Sequence, residues 1–133
     1  MHITGIYVAL ATLLVLVLAG RVSTGRGATK TNLGDGGHPD LILRIRAHAN
    51  ALENLPLALL LLLMLELNQT RPLWLHVFGC VLIAARIAHA IGMSMSGREG
   101  FGRLIGTAVT WLLMLVMALL LLWQWIAWTT IVH

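Results

Sequence analysis

The chain has 133 residues, of which 59% are hydrophobic and 11% charged, and its mean hydropathy is +0.88. Soluble domains carry about 25% charged residues, so the composition excludes an ordinary soluble protein. The net charge is +4, but four spans of about 20 residues leave roughly 50 for all loops and ends, too few for a separate nucleic-acid-binding domain.

The apolar residues fall in long blocks at 3–20, 55–67, 73–85 and 104–128. Continuous Leu-rich runs fit spanning helices, whereas barrel strands would alternate in polarity over about 10 residues. A first helix is expected over 3–20, retained as a span because Met1-His2-Ile3 lacks a basic leader. The stretch from there to Asp40 reads as the one substantial loop, with Gly34-Asp35-Gly36-Gly37 and Pro39 as turn signals. Helices are expected over 41–68, 73–95 and 103–131, and the short connectors 68–72 and 96–102 make neighbours antiparallel. The fold this implies is a single all-α domain over 1–133, an integral membrane bundle of four helices.

Arg21, Arg26, Lys30, Arg44 and Arg46 surround the first loop, Arg98 and Arg103 flank the third, and only Arg71 lies in the second. The positive-inside rule puts the first and third loops in the cytoplasm and both termini on the opposite side. Trp74, Trp123, Trp125 and Trp128 fall at the outer end and Trp111 towards the inner one, the pattern of interfacial aromatic belts. Cys80 is the single cysteine. It sits in an apolar run and reads as a small buried hydrophobe, and alone it can build no disulfide framework or thiolate metal site.

A few polar residues lie where a bilayer makes them expensive. At about 100° per residue, Arg46, Asn50 and Glu53 fall within about 60° of one another on the second helix, with Arg44 and His48 on the opposite side. Glu53 lies about 10 Å along the helix from Arg46, so it is expected to face protein, water or a ligand rather than lipid. On the third helix Arg86, His89 and Met93 share one side, and Arg86 reaches a depth close to that of Glu53. An Arg86–Glu53 pair is one expectation. Such a network either glues helices together or marks a site. Arg46, Asn50, Glu53, His89 and Arg103 complement a small, net-anionic zwitterion through paired hydrogen bonds to carboxylates and one to an ammonium. A charged peptide such as glutathione fits, and a nearby arginine would favour its thiolate.

The run Arg46-Ala47-His48-Ala49-Asn50-Ala51-Leu52-Glu53-Asn54-Leu55-Pro56 resembles the second-helix signature Arg-x-x-x-Asn-x-x-Glu-x-x-Pro of the membrane-associated proteins in eicosanoid and glutathione metabolism, the MAPEG family. Arg86-Ile87-Ala88-His89 resembles that family's third-helix motif, and chain length, helix count and basic loops agree. The resemblance implies a homotrimer with glutathione as co-substrate between neighbouring subunits near the cytoplasmic face. It implies glutathione contacts from Arg46, Asn50, Glu53, His89, Arg86 and Arg26, and a thiolate-stabilising role for Arg103, with Arg98 the alternative. Asn54 and Met93 stand where many members carry tyrosine. The activity implied is glutathione transfer to lipophilic electrophiles, or peroxidase action on lipid hydroperoxides, with the second substrate arriving from the membrane. A non-catalytic lipid-binding or scaffold member of the same fold is the alternative. A transporter is disfavoured because no helix is broken by Gly or Pro pairs at the midplane.

Overall fold

The structure is a computed structural model and describes residues 2–94 and 101–132. Four helices follow one another: α1 Ile3–Thr29, α2 Pro39–Leu67, α3 Pro72–Ser94 and α4 Phe101–Val132. Each is long and apolar enough to cross a bilayer, and there is no strand among the described residues. Helices satisfy all their own backbone groups, which is what a hydrocarbon solvent demands.

α2, α3 and α4 begin and end close to the expected positions, but α1 does not. It runs to Thr29 rather than ending at residue 20, so Arg21 and Arg26 sit on its last turns and the loop shrinks to nine residues, 30–38. Apolar character stops at residue 20 while helix geometry continues, because tertiary contacts support the polar extension. Gly25 makes room for α2: a Cβ there would lie 3.1 Å from Leu41 Cδ1 and 3.2 Å from Arg44 Cδ. Arg44 Nη1 donates to the Arg21 carbonyl at 3.1 Å, and Arg21 Nη1 donates to Ser94 Oγ at 2.6 Å, which ties α1 to both neighbours. Lys30 then ends the helix in the left-handed region at φ 53°. Gly34, Gly36 and Gly37 turn the loop at positive φ, and Pro39 opens α2 at a position where no backbone donor is lost.

The α2–α3 turn is tight. Gln69 adopts φ 59°, and the Thr70 amide returns to the Leu65 carbonyl at 3.0 Å. That turn also brings Glu66 to the start of α1, where its carboxylate accepts from the amides of Ile3 and Thr4. His2 supplies no side-chain cap, so α1 is capped by a residue from another helix.

The core runs along α2 and α3, through Ala51, Leu55, Ala58, Leu62 and Leu65 facing Leu75, Phe78 and Leu82. α1 and α4 flank this pair and do not touch each other among the described residues. Outward-facing Leu13, Leu16, Val17, Leu112 and Leu119 form the lipid surface. Cys80 is exposed rather than buried, and its thiol lies 3.4 Å from the hydroxyl of buried Tyr7. Tyr7 also donates to the His76 carbonyl and lies 2.9 Å from His76 Nδ1. Gly79 gives it room, since a Cβ there would fall 2.3 Å from the ring.

α3 and α4 meet backbone to backbone. A Cβ on Gly92 would lie 2.4 Å from the Arg103 nitrogen, and one on Gly106 would lie 2.5 Å from the Ala85 carbonyl oxygen. Gly102, Gly106 and Thr110 recur every four residues, so one small-residue stripe of α4 carries the contact. This close approach positions the polar groups of the two helices.

Candidate functional site

Three helices converge on a cleft of about 490 Å³ at the end of the bundle where α3 finishes and α4 begins. α2 contributes Arg46 and Asn50, α3 contributes His89 and Met93, and α4 contributes Arg103, Thr107 and Trp111. Four of the residues singled out from sequence, Arg46, Asn50, His89 and Arg103, therefore line one cavity. Arg46 and Arg103 are exposed, and neither guanidinium is bonded to a described residue. Two cations lining one small space make the cleft electropositive.

Asn50 and His89 are held from behind. Arg86 is 2% exposed and lies beneath the cleft rather than in it. Its Nη1 donates to Asn50 Oδ1 at 2.7 Å and to the Asn50 carbonyl at 3.4 Å, and Nη2 donates to the Gly106 carbonyl at 3.5 Å. Arg86 thus makes no ion pair with Glu53: its charge is met by neutral oxygens from α2 and α4. Helical periodicity places both residues at one depth but does not state how far each helix is rotated towards the other. Glu53 is exposed in the single chain and does not line the cleft.

The ring of His89 is buried, with Nδ1 3.1 Å from the Arg103 carbonyl and 3.0 Å from Thr107 Oγ1. A carbonyl only accepts, so in the neutral ring Nδ1 carries the hydrogen and Nε2 is a bare acceptor. Nε2 has no hydrogen-bond partner among the described residues. Arg26 stays outside this group, donating to the Asn32 carbonyl at 2.9 Å in the α1–α2 loop. Arg98 lies outside the described residues.

Besides apolar Ile42, Leu43 and Leu104, two lining residues with hydrogen-bonding side chains escape the sequence reading. Thr107 and Trp111 follow Arg103 at four-residue intervals and so share its face of α4. That spacing is legible in the sequence, but position along the helix points Trp111 to an aromatic belt. Its indole Nε1 instead donates inward to Asn54 Oδ1 at 3.1 Å. Asn54, at one of the positions where tyrosine is common, is 9% exposed and donates its amide to the Asn50 carbonyl at 2.9 Å.

Four helices long and apolar enough to span, three of them lining a cationic cleft, define a multi-pass integral membrane protein. The chain matches the MAPEG family over residues 4–123 and belongs to it. It is similar to inner membrane protein YecN of Escherichia coli strain K12, at 34% identity over 121 residues that cover 91% of each chain. The corresponding protein of Escherichia coli O6:H1 is similar to the same extent.

Proposed function

We propose that the protein binds glutathione and transfers it to lipophilic electrophiles, or uses it to reduce lipid hydroperoxides. The observation that carries this reading is the convergence of two guanidiniums, Arg46 and Arg103, without a partner among the described residues, with Asn50 and His89 in one cleft. Arg46 and Asn50 suit the carboxylates and amide oxygens of the peptide. Arg103 stabilises the thiolate, whose sulfur attacks the electrophile as the leaving group departs with its electron pair and the thiol proton passes to water. A lipophilic substrate arrives from the bilayer, in which the four apolar helices sit.

The assembly we propose is a homotrimer in which glutathione lies between subunits. Its support is that Glu53 and Arg46 are both exposed on the single chain. A carboxylate facing lipid costs several kcal/mol, and a neighbouring copy or bound ligand relieves that cost. The first and third loops face the cytoplasm in this reading, with both termini on the other side. A second reading, a lipid-binding or scaffold protein without chemistry, is favoured by Asn54 and Met93 standing where tyrosines are common in the family.

The deciding experiment is thermal unfolding of the purified protein in detergent with added glutathione. Binding raises the midpoint with concentration as RT ln(1 + [L]/Kd). No shift at millimolar glutathione rejects the first reading and leaves the scaffold.

A further inference from the structure

The cleft has two chemically distinct ends. Arg46, Asn50, His89 and Arg103 make one end ionic, and Trp111 closes the other, eight residues beyond Arg103 and about 12 Å further along α4. Thr107 lies between them on the same face.

Trp111 is held there by its nitrogen. A belt tryptophan keeps its N–H on the wet side of the interface, but this one donates into the bundle, to Asn54 Oδ1. Asn54 has no freedom to turn away, because its Nδ2 is committed to the Asn50 carbonyl and this orients Oδ1 as the acceptor. α2 therefore fixes the indole of α4 through a buried amide. Trp111 remains 62% exposed in the single chain, with no ring contact to another aromatic residue among the described residues.

We infer that Trp111 is the specificity-determining residue of the cleft and selects electrophiles with a planar aromatic or conjugated body, with Asn54 as its positioning residue. This rests on the glutathione reading above and names its second substrate. An electrophilic carbon beside Arg103 leaves the rest of a flat molecule directed along α4 towards the indole. A fixed indole favours a flat, polarisable partner over a flexible chain of equal apolar area, since stacking adds attraction beyond burial.

The test measures Kd on the full chain in detergent for glutathione, S-(p-nitrobenzyl)glutathione and S-hexylglutathione. Wild type is expected to prefer the nitrobenzyl conjugate. Trp111→Leu weakens that conjugate about three- to ten-fold and leaves glutathione and the hexyl conjugate unchanged. Trp111→Phe loses the same bond to Asn54 but keeps a ring, so the difference between Phe and Leu isolates aromaticity from structural damage. Asn54→Ala frees the indole and reduces the preference without abolishing it. Equal loss for both conjugates, or no preference in wild type, overturns the inference while the glutathione reading stands. Failure of wild type to bind glutathione or either conjugate overturns both.

Discussion

Asn50 accepts a 2.7 Å hydrogen bond from Arg86 through its side-chain oxygen, which leaves its amide nitrogen as the group available to the cleft. The pair divides labour: Arg86 is buried and anchors α3 to α2, while Asn50 carries that anchor to the cleft surface. Replacing Asn50 separates the two roles. Asn50→Asp keeps an acceptor for Arg86 but removes the N–H donor. The thermal midpoint is expected to hold, while glutathione affinity falls about ten-fold or more, the worth of a hydrogen bond to a charged or polar ligand group. Asn50→Ala strips Arg86 of its best partner and costs about 1–3 kcal/mol of stability as well. If Asp binds glutathione as well as Asn does, Asn50 serves only Arg86.

Arg103→Ala tests the thiolate role. Its side chain has no described structural partner, so folding is expected to be unaffected. Turnover should drop on the order of a hundred-fold or more, the usual cost of removing one stabilising group at a developing or held anion. Glutathione Kd should change by only a few-fold. Equal loss of binding and turnover would make Arg103 a positioning group.

The glycines of the bundle are not equivalent. Gly106→Ala puts a methyl 2.5 Å from the Ala85 carbonyl oxygen and 2.7 Å from His89 Cβ, against backbone that cannot yield without separating α3 from α4. A loss of at least about 1–3 kcal/mol is expected, together with displacement of His89 and weaker glutathione binding. Gly20→Ala meets nothing within 4 Å. It should be neutral or stabilise by up to about 1 kcal/mol through helix propensity. Midpoints of the two variants in the same detergent provide the check.

Glu66→Ala removes the carboxylate that accepts from the first amides of α1. The expected cost is that of a lost N-cap, about 0.5–2 kcal/mol, concentrated at the N-terminal end of α1. Amide exchange at residues 3 and 4 should accelerate in the variant, with α3 and α4 unchanged. Uniform acceleration along all four helices would assign Glu66 a global role instead.

Much of this was legible in the sequence, and the exceptions have physical causes. Runs of apolar residues report spans directly, so helices α2 to α4 were bounded closely. The end of α1 was not, because hydropathy records where the bilayer stops, and Gly25 and Arg21 continue the helix through contacts with α2 and α3. Periodicity put Arg46, Asn50 and Glu53 on one face of α2, of which Arg46 and Asn50 line the cleft with His89 of α3 and Glu53 does not. It pointed to Glu53, not Asn50, as the partner of Arg86, since depth is legible in the sequence and the rotation of two helices about their own axes is not. The small-residue repeat Gly102, Gly106, Thr110 contained that information: it marks the stripe of α4 pressed against α3 and thus brings the Gly106 carbonyl to Arg86.

Tyr7 seated over Gly79 gives this protein an internal reporter. Its hydroxyl is the neighbour of the chain's single thiol, on a cysteine that is exposed on the surface of the single chain. Any rearrangement that slides α1 along α3 unseats the phenol and alters the surroundings of Cys80 before it disturbs the distant cleft. A probe attached at that one sulfur, with no other cysteine to remove, would follow motion along the α1–α3 seam in an otherwise native chain.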